Sequence, residues 1–428
     1  MKDRFIRTNK KGITMAHINR HMRSKLLKAL EVSPVVFLNG PRQAGKSTLV
    51  QAIAQKEYPA EYVTFDSTTQ MAAAANAPES YLRERKGALI IDEVQLVPEI
   101  FRALKVVVDE LRQAQGPKLK GRFLLTGSAN IMALPKLSDP LVGRMNVLTL
   151  YPVSGAEALG GNGDFIERLF NKDFEADKNK QNLSDIIRTA TFPEISGADI
   201  HERTTWFDGY LTTILQRDVR ALAEIEKLST LPNLLRILAN RAGGLVNDAD
   251  IARDAGLNPV TSRNYKTLLK MLFLTFELAP WYRNIGKRLV KSPKGYMTDT
   301  LLLCHLMQYE LSDLEKNRPE LFGHVLENFV ATELLKLMTF CDDKMDLFHF
   351  RTSDNKEVDF VVEKPNGQLV AIEVKQRDSV SKSDFKGLEE LQNITSDDFV
   401  CGVVLYRGKD VVPFGQNLWA IPISNLWG

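Results

Sequence analysis

Near the start of the chain, Gly40-Pro41-Arg42-Gln43-Ala44-Gly45-Lys46-Ser47 sets two glycines five positions apart and ends in a lysine followed by a hydroxyl. The apolar run Val35-Val36-Phe37-Leu38 precedes it, and a helical stretch from Thr48 to Gln55 follows. Glycines let successive backbone N–H groups turn inward, and a helix start adds positive potential, so a strand-turn-helix of this composition cradles phosphates. Gly40, Pro41, Arg42, Gln43, Ala44, Gly45, Lys46, Ser47 and Thr48 are therefore the expected contacts with ATP. Lys46 is expected to reach the β and γ oxygens, and the Ser47 hydroxyl to coordinate Mg²⁺. Downstream, Leu89-Ile90-Ile91-Asp92-Glu93 ends a second apolar run in two acids. Asp92 is expected to hold the metal through water, and Glu93 to polarise the water that attacks the γ-phosphate in line. Phe123-Leu124-Leu125-Thr126-Gly127-Ser128 ends a third run in hydroxyls. Ser128 first and Thr126 second are the candidates to stand between Glu93 and the γ-phosphate; the alternative is that they satisfy a turn.

A second constellation lies near the C-terminus. Glu357-Val358-Asp359-Phe360-Val361-Val362, a turn at Pro365-Asn366-Gly367, and Ile372-Glu373-Val374-Lys375 put Asp359 on one strand and Glu373 and Lys375 two apart on the next. Residues two apart share a strand face. This D…E-x-K order resembles the PD-(D/E)xK nucleases, in which two carboxylates bind Mg²⁺ and the lysine activates water or steadies phosphorane charge. The resemblance makes Asp359 and Glu373 metal ligands and Lys375 a catalytic group. The stretch from Gly323 to Glu333 matches the helix that precedes this motif, and it adds Glu327 to the metal set. Whether the cluster cleaves or is a degenerate binding platform is open at this stage.

Between the two constellations, Asp248 to Leu257 and then Thr261 to Leu272 read as helix, glycine-containing turn and helix, the second beginning near Pro259. From Arg241 to Gly295 the chain holds ten Lys or Arg against four acids. Arg263, Lys266 and Lys270 are the expected DNA contacts, within a group that also includes Lys287, Arg288, Lys291 and Lys294. The segment resembles a winged helix, a module that also serves as the packing surface of an ATPase.

The elements that must position these residues divide the chain. From Val35 to Leu150 short apolar runs alternate with helical stretches, the pattern of a parallel sheet covered by helices. Helical periodicity dominates from Trp206 to about Met307, and apolar runs return after a helix over Val325 to Met338. The expected divisions are a basic leader at 1–28, a P-loop ATPase domain at 29–160, a helical domain at 185–318 and a nuclease-like α/β domain at 319–428. The first 28 residues carry nine Lys or Arg against one acid, with no apolar core of the sort a secretory signal needs. With 428 residues, 44% of them hydrophobic, the chain can build more than one core, yet no run reaches the length of a membrane span. The three widely spaced cysteines, Cys304, Cys341 and Cys401, point to a reducing compartment, and the cytoplasm is the expected location. A net charge of +3 is too small to argue for nucleic acid by itself, so local clusters carry that expectation.

The order of P-loop, Asp-Glu strand, Leu-Thr-Gly-Ser strand and Leu141-Val142-Gly143-Arg144 resembles the prokaryotic AAA+-type ATPases that carry a nuclease-like C-terminal domain. The resemblance covers most of the chain and takes in Thr191-Phe192-Pro193-Glu194 and Arg217-Asp218-Val219. It implies an α/β fold with an AAA+-like N-terminal sheet, a winged-helix-containing middle and a restriction-endonuclease-like C-terminal domain. It implies ATP and Mg²⁺ as cofactors, ATP hydrolysis that acts on or is regulated by DNA, and a homo-oligomer, the hexamer being a common form of AAA+-like domains. Arg144, then Arg217, are the arginines it suggests for transition-state charge, from the same chain or a neighbour. Two alternatives stand beside it: a nucleotide-gated adaptor for a protein partner with an inactive C-terminal domain, and an ATP-licensed nuclease.

Overall fold

The computed structural model describes residues 18–116, 119–130, 141, 143–177, 182–219, 228–284 and 291–428. Five parallel strands form the N-terminal sheet: β1 (Val35–Asn39), β2 (Glu61–Thr64), β3 (Leu89–Asp92), β4 (Phe123–Gly127) and β5 (Met145–Thr149), in the order β2-β3-β4-β1-β5. β1 and β4 are central and wholly buried, which is why their sequences read as continuous apolar runs and not as alternation. The pleat divides each strand between two cores. Val35, Phe37, Ile91 and Leu125 face the helix Ile100–Gln115, while Val36, Leu38, Ile90 and Leu124 face the helices Met22–Val32 and Lys46–Ala54.

The helix Met22–Val32 corrects the expected leader. Residues 1–17 lie outside the described residues, but Met22, Leu26, Ala29 and Leu30 are buried against the sheet, and Lys25 donates to the Thr339 carbonyl at 3.0 Å and to that of Cys341. The stretch is a helix of the fold because its apolar residues recur at helical spacing between the cations.

In the middle region, Leu231–Asn240, Asp248–Asp254 and Pro259–Met271 are helices, followed by an antiparallel pair, β6 (Thr275–Leu278) and β7 (Lys294–Met297). Local chemistry sets the turn: Asn247 and Asn258 cap the second and third helices through their side chains, Gly256 between them has φ 63°, and Pro259 occupies a first-turn position. The C-terminal sheet is mixed, in the order β12-β13-β11-β10-β9-β8, from β8 (Asp346–Arg351), β9 (Glu357–Glu363), β10 (Leu369–Val374), β11 (Phe399–Tyr406), β12 (Val412–Gly415) and β13 (Leu418–Pro422). The long helix Pro319–Phe340 lies between it and the middle region, and one continuous apolar core runs through both. Among the described residues no helix is long and apolar enough to cross a membrane, and the three cysteines are buried and unbridged.

Candidate functional site

The phosphate cradle begins where β1 leaves the sheet. Gly40 has φ 145°, and a Cβ there would lie 2.1 Å from the Leu150 carbonyl oxygen, so only glycine fits. Gln43 and Gly45 also have positive φ, 62° and 93°, which coils the backbone between β1 and the helix Lys46–Ala54. Among the described residues no side chain caps that helix start, so the positive end of the helix is available to an anion. Lys46 is buried and folds back over the loop, donating to the carbonyls of Gly40 at 2.9 Å and Pro41 at 2.8 Å. Burial lowers its pKa to about 8 against the opposing pull of Glu93 and Asp92.

Asp92, at the end of β3, gathers hydroxyls from three elements. Ser47 Oγ donates to Oδ1 at 3.1 Å, Tyr62 Oη donates to Oδ2 at 2.6 Å, and Thr126 Oγ1 donates to Oδ1. A hydroxyl and a carboxylate in contact beside a phosphate cradle form a donor set of hard oxygens that suits Mg²⁺. Glu93 follows with φ 57° and sits beside Ser128, whose Oγ donates to Oε2 at 3.2 Å. Gln95 closes the group: its Nε2 donates to Ser128 Oγ at 2.9 Å and to Glu93. The sequence reading missed Gln95; its only local signal was a polar residue two positions after Glu93. Thr126 donates to Asp92 and accepts from the Glu93 N–H at 3.4 Å, whereas Ser128 donates to the Glu93 carboxylate.

Other residues frame the cradle. Arg20, assigned to the leader by its composition, donates to the carbonyls of Ala44 at 2.7 Å and Tyr151 at 2.6 Å and pairs with Glu157 at 3.1 Å. Pro193, from the Thr-Phe-Pro-Glu stretch, stands 3.7 Å from where a Cβ of Gly45 would be, and Thr191 Oγ1 donates to Asp299 at 2.8 Å. Arg42 of the loop reaches Asp218 of the π-helical turn Ile214–Asp218 at 3.1 Å. Arg144 makes a two-pronged pair with Asp109 at 2.7 and 2.9 Å, so in this structure it is engaged on the helix Ile100–Gln115. The Arg217 side chain, Lys287 and Arg288 lie outside the described residues.

The C-terminal constellation converges with an unexpected fifth member. Asp359 Oδ2 accepts from the Val374 N–H at 2.9 Å, Glu373 Oε1 pairs with Lys375 at 2.5 Å, and Glu327 projects from the long helix toward them. Between Glu327 and Asp359 lies Lys294 of β7, its ammonium 3.1 Å from Glu327, 3.4 Å from Asp359 and 3.7 Å from Glu357, while Tyr296 donates to Glu327 at 2.8 Å. Burial pushes the Glu327 and Glu373 carboxyls up, with Asp359 adding to both. Burial alone would lower Lys294, yet Asp359, Glu327 and Glu357 together hold it above the ordinary lysine range. This site does not fit a metal as it stands, because a cation of the protein lies between two of the carboxylates; among the described residues no group of three His, Cys, Asp or Glu is placed to hold one.

The basic helix face is likewise compensated. Lys266 corrects the expectation of an exposed DNA contact: its side chain is only 8% exposed and is held by Asp248 at 2.5 Å and Glu277 at 3.4 Å. Arg263 and Lys270 are exposed but pair with the same two acids.

Comparison with known proteins gives these sites a family. Residues 32–159 match a family described as an AAA domain, 180–313 match a domain of unknown function (DUF8612), and 322–426 match another (DUF4143). An uncharacterized protein of Mycobacterium tuberculosis is 30% identical over 410 residues, covering 95% of this chain and 84% of the relative. The chain belongs to that family. An uncharacterized protein of Haemophilus influenzae is 25% identical over 374 residues, covering 82% of this chain and 85% of its own length. Among solved structures, a Walker-type ATPase of Pyrococcus abyssi is similar at 14% identity and a TM-score of 0.40, over 71% of this chain and 99% of that one. RuvB of Thermotoga maritima is similar at 19% identity and a TM-score of 0.29, over 67% and 93%. The phosphate cradle, Asp92, Glu93 and Ser128 all fall within the AAA domain, and Glu327, Asp359, Glu373 and Lys375 within the DUF4143 domain.

Proposed function

We propose that this AAA-domain protein is a Mg²⁺-dependent ATP hydrolase that couples its nucleotide state to the middle region and acts on or near DNA. The contact of Ser47 with Asp92, beside an uncapped helix start and a buried lysine, carries the reading. In it the loop N–H groups and Lys46 bind the β and γ phosphates, releasing Lys46 from the Gly40 and Pro41 carbonyls. Ser47 and Asp92 would hold Mg²⁺, whose chemistry is to neutralise phosphate charge. Glu93 orients the attacking water, and Ser128 and Gln95 hold the Glu93 carboxylate in place. Arg42 gives the loop a direct link to Asp218, so a loop that rearranges around phosphate changes a contact with the helical region. Arg144 and Arg217 remain the candidates for γ-phosphate charge, Arg144 on release from Asp109 and in a homo-oligomer such as a hexamer.

Steady-state ATP hydrolysis, with and without single- and double-stranded DNA, tests the proposal beside Lys46→Ala and Glu93→Gln. Lys46→Ala is expected to lose binding, while Glu93→Gln keeps ATP binding and turns over about 10²-fold more slowly. An unchanged rate in Glu93→Gln removes the assignment. The compensated basic face and the lysine inside the C-terminal carboxylates favour a second reading, a nucleotide-gated adaptor for a protein partner. DNA stimulation of turnover that falls steeply with salt supports the DNA reading, and its absence supports the adaptor.

A further inference from the structure

The hairpin of the middle region delivers a charged side chain into the C-terminal domain. Lys294 opens β7, and its backbone is fixed on both sides: β7 pairs with β6, Gly243 donates to the Gly295 carbonyl at 2.8 Å, and Gly295 donates to that of Gly244 at 3.1 Å. Two residues along the same face, Tyr296 donates to Glu327, so the strand enters the carboxylate cluster with both side chains. The Lys294 side chain is 5% exposed. One nitrogen satisfies Glu327 and Asp359 together, and a cation bridging these two acids would need the same space.

We propose that Lys294 is a tethered counter-ion that keeps divalent cations out of the Glu327, Asp359 and Glu373 cluster, so that the C-terminal domain is latched to the middle hairpin and is not a metal-dependent hydrolase in this fold. Two observations support it independently of the nuclease resemblance. The ammonium lies within reach of three carboxylates, Glu327, Asp359 and Glu357, which gives it more ion-pair partners than a single surface bridge provides. Lys375 is drawn away to Glu373 at 2.5 Å, so the Glu373 carboxylate also has its own protein cation. A divalent ion entering here must expel an ammonium whose strand is pinned by backbone hydrogen bonds, and the two cations repel at short range in a poorly solvated site.

Titration of the nucleotide-free full-length chain with Mn²⁺, followed by the loss of its free-ion electron paramagnetic resonance signal, tests the proposal. The parent carries Lys46→Ala, so that hydrolysis at the AAA domain cannot enter the readout. The parent is expected to show no Mn²⁺ binding that Asp359→Asn removes. Lys294→Met is expected to gain a Mn²⁺ site about tenfold or more tighter than any in the parent, and adding Asp359→Asn should abolish it. Lys294→Gln, which keeps polar atoms at the position, serves if the methionine variant does not fold. An Asp359-dependent Mn²⁺ site in the parent overturns the proposal, and that arm needs no change at Lys294. Folded Lys294 variants that gain no Mn²⁺ affinity overturn it as well.

Discussion

Lys46 is asked to be both buried and charged. The Gly40 and Pro41 carbonyls accept hydrogen bonds from its ammonium, but burial lowers its pKa to about 8 in the nucleotide-free chain, whereas β and γ phosphates would hold it protonated. Binding ATP above that pH therefore takes up a proton. Affinity is expected to be flat below about pH 8 and to fall above it, by up to roughly tenfold per unit, in nucleotide titrations run from about pH 7 to pH 9.5. A flat profile over that range would show that the ammonium is not part of the phosphate contact. The sign for folding is the reverse: the unfolded chain binds more protons between about pH 8 and the free lysine value, so the stability that Lys46 costs is recovered as pH rises through that window. At this scale the cradle residues were legible because they are contiguous. Gln95 was not, since its place beside Ser128, thirty-three residues on in the chain, depends on the parallel pairing of β3 with β4.

One turn of the helix Pro319–Phe340 ties three parts of the molecule together. Glu333 and Lys336, with side chains 0% and 1% exposed, pair at 2.9 Å; Lys336 also donates to the carbonyls of Val153 and Ala190, and Glu333 accepts from the Gly155 N–H at 2.7 Å. Neither charge has water to fall back on. Lys336→Met is expected to destabilise the chain by roughly 3–5 kcal/mol, because it leaves a buried carboxylate unpaired. Lys336→Met with Glu333→Gln should recover a large part of the loss in urea denaturation. Equal stability of the single variant and the parent would mean that water reaches Glu333. The helix itself was anticipated from apolar spacing over Val325 to Met338, but not its first turns, where Pro319 and Glu320 signal a start that the reading placed later. The turn after Asp254 was legible for a local reason: Asn258 and Pro259 are residue types favoured at a cap and at a first-turn position, and they take those places here.

At the scale of the whole molecule, the middle and C-terminal regions share one core. Phe322, Val325, Leu326, Phe329, Val330 and Leu334 of the long helix belong to the same buried cluster as Leu231, Leu235, Leu269 and Leu302. Each buried apolar side chain contributes roughly 1.5–3 kcal/mol, so the six from the helix together rival the whole stability of a typical domain, about 5–15 kcal/mol. A chain ended at Arg318 is accordingly expected to be insoluble or to bind a hydrophobic dye strongly, although Arg318 lies in the interval between the two family models, which end at 313 and begin at 322. A soluble, cooperatively melting truncation would show that the long helix only covers a core already complete. The family boundaries follow stretches of sequence, whereas the core follows packing.

Some properties of this protein were determined by sequence alone: the phosphate cradle, the Asp92-Glu93 strand end, the alternation of strands and helices in the N-terminal sheet, and the D…E-x-K pair. Each is a short-range pattern, in which neighbouring residues impose backbone angles or face alternation without help from elsewhere. The tertiary structure decided which opposite charges meet. It placed Lys294 between Glu327 and Asp359, Lys266 between Asp248 and Glu277, Arg144 on Asp109, Arg42 on Asp218 and Arg20 beneath the cradle. Many residues in this chain carry charge, and nothing local selects among the partners; for Lys294, Lys266 and Arg20 burial selects them, because a charge taken out of water must find its partners wherever the packed elements bring them within reach, whereas Arg144 and Asp109 remain partly exposed.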